Sequence, residues 1–321
     1  MIKSNFIESN IIANGVDIAY QLHGNANNPT VLLVHGLGTP LTGWPTDMVK
    51  GFVDKGFQVL LLDNRDIGKS KILAKPSLTY IVWTTIKFKL GFSARVPYQL
   101  NDMMEDIIAL LDHLQLNKVH LIGASMGGMI AQLLAIHHPN RVQTLTSIMS
   151  TTGTKNIPPI DWNIRKQLIS IPKSRAYQAR LAYHINNWRV VGSPNYPATE
   201  QYLTDYVDSL IKRGITIRGT LSQILAILVA RNRESLLKSV NIPSLILHGD
   251  SDGLVHVDGG KATAKAIPDA QLKIYPGMGH DFPVELVPNI VDDIVQFIFL
   301  NNDDNKKIVS DGQSVIDTRL S

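Results

Sequence analysis

Short apolar segments recur along the chain, and most of them are continuous runs rather than alternations of apolar and polar residues. The continuous runs are residues 30–34, 57–63, 119–122, 144–149, 244–248 and 272–275. Strands have this composition when both of their faces are covered, which is typical of a parallel sheet. Residues 5–22 instead predict two strands joined at Asn14-Gly15, a dipeptide that favours a tight hairpin turn.

Segments with helical periodicity lie between most of the predicted strands. They are residues 44–55, 99–115, 126–138, 259–266 and 285–299. Regular alternation of strand and helix over this length predicts an α/β fold with a doubly wound, mostly parallel sheet. In such a sheet, the loops at the carboxyl ends of the strands form the functional site.

Two segments depart from this alternation. Residues 68–98 have a mixed pattern and are predicted to be an irregular insertion. Residues 151–240 carry helical patterns, several prolines and no convincing buried strand, so we expect a helical cap inserted between two strands of the sheet. The predicted core domain is then residues 1–150 and 241–300, and the polar residues 301–321 are predicted to form a C-terminal tail.

Composition and charge narrow the classes of function. The 321 residues are 44% hydrophobic, contain no cysteine and carry a formal net charge of +4. The lack of cysteine excludes disulfides, thiolate metal sites and a cysteine nucleophile. Lys and Arg are scattered without a nucleic-acid-binding motif, so we expect no nucleic-acid partner. No stretch is typical of a signal peptide or a membrane-spanning helix, which favours a cytoplasmic protein with no integral membrane segment.

The predicted cap is more basic than the rest of the chain. Residues 151–240 contain thirteen Lys or Arg residues against five Asp or Glu residues. A solvated helical surface accounts for this excess, and attraction to anionic substrates or membrane surfaces is the alternative.

One turn, Gly123-Ala124-Ser125-Met126-Gly127, joins a predicted buried strand to a predicted helix. Small residues around a serine on such a corner are typical of a nucleophile elbow, in which a strained backbone lifts the hydroxyl clear of the sheet. Ser125 is therefore the candidate nucleophile. The N–H of Met126 would lie at the start of a helix, where it can meet negative charge.

A serine nucleophile needs a base, a group that orients the base, and donors for the oxyanion. His280 is the candidate base, because it follows the last predicted strand in a loop shaped by two glycines. Asp250 and Asp252 both lie just past the preceding strand and are the candidates for the orienting acid. The backbone N–H groups of Met126 and Leu37, the latter in the loop that follows the third strand, are the predicted oxyanion donors.

The chain resembles the α/β-hydrolase superfamily from about residue 10 to residue 300. The matching motifs are His35-Gly36-Leu37-Gly38, Asp63-Asn64-Arg65-Asp66-Ile67-Gly68-Lys69-Ser70, Gly123-Ala124-Ser125-Met126-Gly127-Gly128, His248-Gly249-Asp250-Ser251-Asp252 and Gly277-Met278-Gly279-His280. The second and third motifs are similar to those of a carboxylesterase subgroup that includes the aclacinomycin methylesterases. The resemblance implies that the acid is Asp252 and that the triad has the order Ser125, Asp252, His280 found in this superfamily.

These residues predict a serine hydrolase that cleaves small-molecule carboxylic esters through an acyl-enzyme on Ser125, with no cofactor and no metal. Candidates to line the substrate pocket under the cap are Trp162, Tyr177, Tyr183 and Trp188. The same triad also serves aminopeptidases, thioesterases, acyltransferases and hydrolases of C–C bonds, and these alternatives stay open. An alternative of another class is a ligand receptor that keeps the fold without catalysis. The oligomeric state is not predicted.

Overall fold

An eight-stranded sheet runs through the centre of the computed structural model, which describes residues 6–73, 76–93, 95–168, 170, 172, 174 and 176–301. The strands are Phe6–Ala13 (β1), Val16–His23 (β2), Thr30–Val34 (β3), Gln58–Leu62 (β4), Val119–Ala124 (β5), Val142–Ile148 (β6), Ser244–Gly249 (β7) and Gln271–Tyr275 (β8). The predicted tail, residues 301–321, lies outside the described residues except for its first position.

The strands follow the spatial order β1-β2-β4-β3-β5-β6-β7-β8. Strand β2 pairs antiparallel with β1 and with β4, and the neighbours from β4 to β8 pair in parallel. The β1–β2 hairpin turns at Asn14 and Gly15, which have φ angles of 50° and 77°, values that Asn and Gly tolerate better than other residues. The predicted α/β fold with a doubly wound, mostly parallel sheet is confirmed.

Helices cover both faces of the sheet and also form the segments that lie outside it. They are Thr46–Asp54 (α1), Leu78–Lys89 (α2), Leu100–His113 (α3), Met126–His137 (α4), Trp162–Leu168 (α5), Tyr177–Val191 (α6), Glu200–Arg213 (α7), Ile217–Leu228 (α8), Glu234–Leu237 (α9), Asp258–Ala266 (α10) and Val287–Leu300 (α11). One apolar core packs α3 and α4 against the sheet, and a second packs α1 and α11 against the opposite face. Both faces of β3, β4 and β5 are therefore buried, which explains their continuous apolar sequences.

Helix α2 was not expected, because residues 68–98 are predicted to be irregular. Its sequence, Leu-Thr-Tyr-Ile-Val-Trp-Thr-Thr-Ile-Lys-Phe-Lys, is apolar or β-branched around most of its circumference and so lacks the helical periodicity that a sequence pattern detects. The helix begins after Ser77, whose hydroxyl accepts a hydrogen bond from the N–H of Tyr80 at 3.1 Å. This N-cap satisfies one of the free donors at the start of the helix.

The helices α5–α9, here called the cap, lie between β6 and β7 in the chain. The cap has a small apolar core of its own, which includes Ile185, Leu203, Val207 and Leu210 and takes in Ile67 from the loop after β4. Within the described part of the chain, no helix combines the length and the apolar content that crossing a membrane requires.

Candidate active site

Ser125 occupies the corner between β5 and α4. Its backbone has φ 55° and ψ −119°, a left-handed conformation that residues with a side chain rarely adopt. The N–H of Ser125 donates to the carbonyl of Ile148 at the end of β6, at 2.9 Å, and the Ser150 hydroxyl donates to the carbonyl of Ser125 at 2.7 Å. Hydrogen bonds on both sides of the residue therefore hold the strained turn in place.

Glycines make the close packing at this corner possible. A Cβ on Gly127 would lie 2.0 Å from the carbonyl oxygen of Val34, and a Cβ on Gly123 would lie 2.3 Å from the carbonyl oxygen of Gly127. No side chain fits at either position without a shift of the backbone. The first turn of α4 is thus held directly against the end of β3, which leads into the loop with Leu37.

Three side chains from separate loops form a hydrogen-bonded series. The Ser125 hydroxyl lies 2.9 Å from Nε2 of His280, and Nδ1 of His280 donates to Oδ2 of Asp252 at 2.6 Å. His280 and Asp252 are buried, whereas Ser125 is partly exposed. The structure therefore brings together the nucleophile, base and acid that the sequence predicts, in the order that makes a serine hydroxyl nucleophilic.

Asp252 is held in its ionised form by several donors. Its Oδ1 accepts the N–H groups of Leu254 and Val255 at 2.9 and 2.8 Å. Burial acts to raise the pKa of Asp252, but the charge and hydrogen bonds of His280 and His248 outweigh it, so the pKa lies well below its usual value of 3.8. A carboxylate in this state is suited to orient the ring of His280 and to stabilise an imidazolium on it.

His248 is a neighbour of the acid that the sequence did not single out. It lies in β7 and is fully buried, and its Nε2 donates to the carbonyl of Val255 at 2.8 Å and lies 3.3 Å from Oδ2 of Asp252. Two imidazoles therefore face one carboxylate. The sequence places His248 at the start of the motif that ends in Asp252, but a histidine within an apolar strand is more often a core residue.

Two other acids near the site are engaged elsewhere. Oδ1 of Asp250 accepts the N–H of Gly277 at 2.7 Å, so Asp250 ties together the loops after β7 and β8. Asp281 follows His280 and accepts the hydroxyl of Ser193 at 2.5 Å, and burial raises its pKa. Neither carboxylate contacts His280 through a hydrogen bond among the described residues. The geometry therefore favours Asp252 over its rival Asp250 as the partner of the base.

The predicted oxyanion donors belong to the loop after β3, for Leu37, and to the residue that follows Ser125, for Met126. Neither the Leu37 N–H nor the Met126 N–H donates a hydrogen bond to any part of the chain that the structure describes. A Cβ on Gly36 would lie 3.0 Å from Cβ of Ser125, which places the loop before Leu37 directly against the serine. Backbone donors in this position are suited to stabilise negative charge that develops beside the hydroxyl.

Cap residues hold this loop in place. The N–H of Gly38 donates to Oε1 of Gln223 in α8 at 2.7 Å, and Nε2 of Gln223 donates to the carbonyl of Arg65 at 2.9 Å. His35, at the start of the loop, packs edge-on against Trp44 with ring centroids 4.9 Å apart. Burial lowers the pKa of His35 to about 4, so this ring is neutral near pH 7 and supports the loop through packing.

The cap contacts the loops that carry Leu37, Asp252 and His280. Besides the contact of Gln223, the N–H of Asp161 donates to the carbonyl of Gly253 at 2.8 Å. The N–H of His280 donates to the carbonyl of Val191, at the end of α6, also at 2.8 Å. The cap therefore lies over the carboxyl ends of the strands, where the serine, acid and base meet.

The four aromatic residues proposed to line a pocket lie in different environments. Trp162 is 70% exposed, and the exposed Tyr177 hydroxyl donates to Asp208. Tyr183 donates its hydroxyl to the carbonyl of Ser170 within the cap at 3.0 Å. Trp188 lines a cavity of about 360 Å³ whose wall includes Asp281 and Phe282, the two residues that follow His280. Trp188 is therefore the one of the four that lies beside the loop of the base.

No metal site is found among the residues that the structure describes, since they contain no group of three or more His, Asp or Glu side chains placed to hold an ion. The chemistry that the arrangement supports directly is attack by the Ser125 hydroxyl on a carbonyl carbon, with His280 as the proton acceptor.

Comparison with known proteins gives a consistent picture. Residues 29–285 match a family described as the alpha/beta hydrolase fold. A 3-oxoadipate enol-lactonase from Acinetobacter baylyi is 26% identical over 264 residues, covering 82% of this chain and 86% of the relative. A 2-hydroxy-6-oxononadienedioate/2-hydroxy-6-oxononatrienedioate hydrolase from Cupriavidus pinatubonensis is 26% identical over 278 residues, covering 82% and 86%. Rhodomycin D methylesterase from Streptomyces peucetius is 29% identical over 126 residues, covering 39% and 36%.

Solved structures share the fold. The crystal structure of a hydrolase from Pseudomonas aeruginosa aligns with a TM-score of 0.69 and 22% identity, covering 91% of this chain and 98% of that protein. At this level of identity the likeness concerns the fold alone.

Proposed function

Because the chain belongs to the α/β-hydrolase fold family, we propose that it is a serine hydrolase that cleaves carboxylic esters through an acyl-enzyme on Ser125. The family was predicted from the motifs of the sequence, and it includes the chain over residues 29–285. The observation that carries the proposal is the series from Ser125 through His280 to Asp252, with separations of 2.9 and 2.6 Å.

The first half-reaction forms the acyl-enzyme. His280 accepts the proton of Ser125 as the oxygen of Ser125 attacks the ester carbonyl carbon, and a tetrahedral intermediate with a negatively charged oxygen forms. The N–H groups of Leu37 and Met126 donate to that oxygen, and one such donor typically lowers the barrier by about 3 kcal/mol. The C–O bond to the alcohol then breaks, and the alcohol leaves with the proton held by His280.

The second half-reaction releases the acid. Water approaches the acyl carbon, His280 takes one of its protons, and the new C–O bond forms as the oxyanion is again held by the two amides. The bond to the Ser125 oxygen breaks, and the proton returns from His280 to that oxygen. Asp252 stays ionised throughout and offsets the positive charge on the ring of His280.

The decisive experiment compares Ser125→Ala with the wild-type chain on p-nitrophenyl acetate and butyrate. We expect turnover to fall to the background rate, because no other residue replaces the hydroxyl. A fluorophosphonate probe should label the wild type on Ser125 and leave the variant unlabelled. Ser239→Ala is the control, because Ser239 is exposed, its hydroxyl donates to the carbonyl of Leu236 at 2.8 Å, and it should keep wild-type turnover.

Retained turnover by Ser125→Ala, with both proteins equally folded by circular dichroism, would refute the proposal. Absence of both turnover and labelling in the wild type would instead favour a receptor that keeps the fold without catalysis. These two outcomes are distinguishable because the probe reports on the reactivity of Ser125 whatever the natural substrate is.

Hydrolysis of a C–C bond is a second candidate, because the relative from Cupriavidus pinatubonensis is named for a dienedioate substrate rather than an ester. The enol-lactonase from Acinetobacter baylyi, whose similarity covers as much of the chain, is named for a lactone, which is a cyclic ester. Assays of the purified chain with an enol-lactone, a linear ester and a vinylogous 1,5-diketone would separate the two reactions. Turnover of the diketone alone would replace the ester proposal.

A further inference from the structure

Helix α2 presents its apolar side chains outwards. Thr84 on its inner side is only 5% exposed, whereas Val82, Trp83, Ile86 and Leu90, the last just past its end, are 55%, 63%, 42% and 68% exposed. Positions 82, 86 and 90 follow one another at intervals of four, so they form one stripe along the helix, with Trp83 beside it. A helix on the surface of a protein in water normally has the opposite arrangement, with its apolar stripe facing the core.

The stripe continues beyond the helix. Phe92, two residues after Leu90, is 64% exposed, and Tyr80 near the start of α2 is 39% exposed. We call the residues Tyr80, Val82, Trp83, Ile86, Leu90 and Phe92 the apolar patch. Isolated apolar residues on a surface need no explanation, but a contiguous set of this size is typical of an interaction site.

The chain segment that carries the patch has charges of one sign, although Glu234 lines the cavity next to it. No Asp or Glu occurs from residue 67 to residue 101, whereas this stretch contains six Lys or Arg residues. Lys87 lies one residue after Ile86 and is exposed, and it forms no ion pair within the described part of the chain. Exposed Trp, Phe and Leu side chains beside basic residues are typical of protein surfaces that enter a membrane interface.

We propose that the apolar patch docks the protein on the surface of an anionic lipid bilayer. The apolar side chains enter the boundary between headgroups and acyl chains, and the basic residues face the anionic headgroups. Charge is what favours lipid over a second copy of the chain. Two copies meeting through this patch would bring the basic residues of both segments together, and residues 67–101 contain no acid to pair with them, whereas an anionic lipid surface neutralises them.

The patch lies close to the site without being part of it. Helix α2 packs against α8, the helix whose Gln223 holds the loop of Leu37. A cavity of about 1040 Å³ beside the patch is lined by Phe88 and Phe92 and extends to Met129, four residues after Ser125 in α4. Docking through α2 would therefore hold this side of the cap at the lipid surface, and it does not depend on which bond Ser125 cleaves.

Sedimentation with sucrose-loaded vesicles tests the proposal on the full chain. Vesicles of phosphatidylcholine and phosphatidylglycerol in equal parts are compared with phosphatidylcholine alone, at low and at high salt. We expect binding to the anionic vesicles that weakens with salt. Leu90→Asp should lower the partition coefficient at least about tenfold, because an apolar side chain that enters the interface is replaced by a charge of the same sign as the lipid.

Leu300→Asp is the matched control, because Leu300 at the end of α11 is 65% exposed, close to the value for Leu90. It should bind vesicles as the wild type does. Lys87→Gln should weaken binding to anionic vesicles about fivefold and leave binding to neutral vesicles unchanged. Trp83→Ser is a second apolar variant that adds no charge, and circular dichroism checks that each variant is folded.

Three results would overturn the proposal. They are no binding of the wild type to anionic vesicles, equal effects of Leu90→Asp and Leu300→Asp, and a dimer of the free protein that Leu90→Asp dissociates, which would assign the patch to a second copy. Ser125→Ala should bind vesicles normally, and Leu90→Asp should hydrolyse p-nitrophenyl butyrate at the wild-type rate. Failure of the docking proposal therefore leaves the proposed ester hydrolysis untouched, and the reverse also holds.

Discussion

Arg213, the last residue of α7, joins the cap to the core through a buried ion pair. Its Nε donates to Oδ2 of Asp63 at 2.9 Å, and its Nη1 donates to Oε1 of Glu8 at 2.8 Å. The side chains of Arg213 and Asp63 are 5% and 0% exposed. Oδ1 of Asp63 also accepts the N–H of Leu41 at 2.7 Å, so one carboxylate links the cap to the segment that follows the predicted oxyanion loop.

Replacement of Arg213 by Met keeps most of the volume and removes the charge. The carboxylate of Asp63 is then left in the interior without its cationic partner. Loss of one member of a buried pair typically lowers the free energy of unfolding by about 3–5 kcal/mol. Glu8 is affected less, because it keeps a hydrogen bond from Lys69. We expect the double variant with Asp63→Asn to recover part of the loss, since no unpaired buried charge remains.

Urea unfolding followed by circular dichroism and tryptophan fluorescence measures the effect. Lys212→Met is the control, because Lys212 is the neighbouring residue and pairs with Asp208 at 2.6 Å, but its side chain is 72% exposed. Exposed pairs contribute little, so its unfolding midpoint should hardly move. Equal midpoints for Arg213→Met and Lys212→Met would refute the view that the buried pair anchors the cap.

Two further predictions concern a buried histidine of the sheet and the turn that carries Ser125. Burial lowers the pKa of His120 to about 4 from 6.5, so between these values the unfolded chain binds a proton that the folded chain does not, and stability falls as the pH falls. At pH 5 this lowers the free energy of unfolding by about 2 kcal/mol. Between pH 8 and pH 5, urea unfolding should therefore show that His120→Gln loses about 2 kcal/mol less stability than the wild type does. Gly127→Ala places a Cβ 2.0 Å from the carbonyl oxygen of Val34, which displaces the first turn of α4 and the N–H of Met126. Ester turnover should fall about 100-fold, whereas Gly51→Ala in α1, whose Cβ meets only a side chain at 3.2 Å, should retain activity.

The strands and the turn at Ser125 follow from local features of the sequence. Continuous apolar runs mark strands that are covered on both faces, and each functional loop begins where such a run ends in glycine, histidine or an acid. The carboxyl ends of parallel strands share one edge of the sheet, so residues 125, 252 and 280 were expected to converge, and the structure brings them together. Residues 125, 252 and 280 are far apart in the sequence, but the parallel sheet brings the loops that carry them to the same edge.

The hydrogen-bond partners of the side chains at the site are harder to predict from the sequence. Asp250 and Asp252 are two residues apart in the same loop, and only the path of the backbone after β7 turns one towards His280 and the other towards Gly277. The sequence likewise does not distinguish the aromatic residues of the cap that line a cavity from those that are exposed. Trp162 and Trp188 both lie on cap helices, yet one is 70% exposed and the other lines a cavity. Whether an aromatic side chain of the cap is exposed or lines the cavity depends on how the cap helices pack together. This packing leaves no periodic pattern in the sequence.

His248 shows how a residue within an apolar strand can bear on the chemistry of a loop. Strand β7 ends only three residues before Asp252, so the chain turns back and the carboxylate comes within 3.3 Å of the ring that stands in the strand. The hydrogen bond from Nε2 of His248 to the carbonyl of Val255 fixes the loop on which Asp252 lies. A carboxylate buried with these donors keeps its charge at pH values where an exposed one would begin to bind protons. The charge of Asp252 should therefore persist below its usual pKa of 3.8, so its loss does not limit the proposed activity in mildly acidic solution.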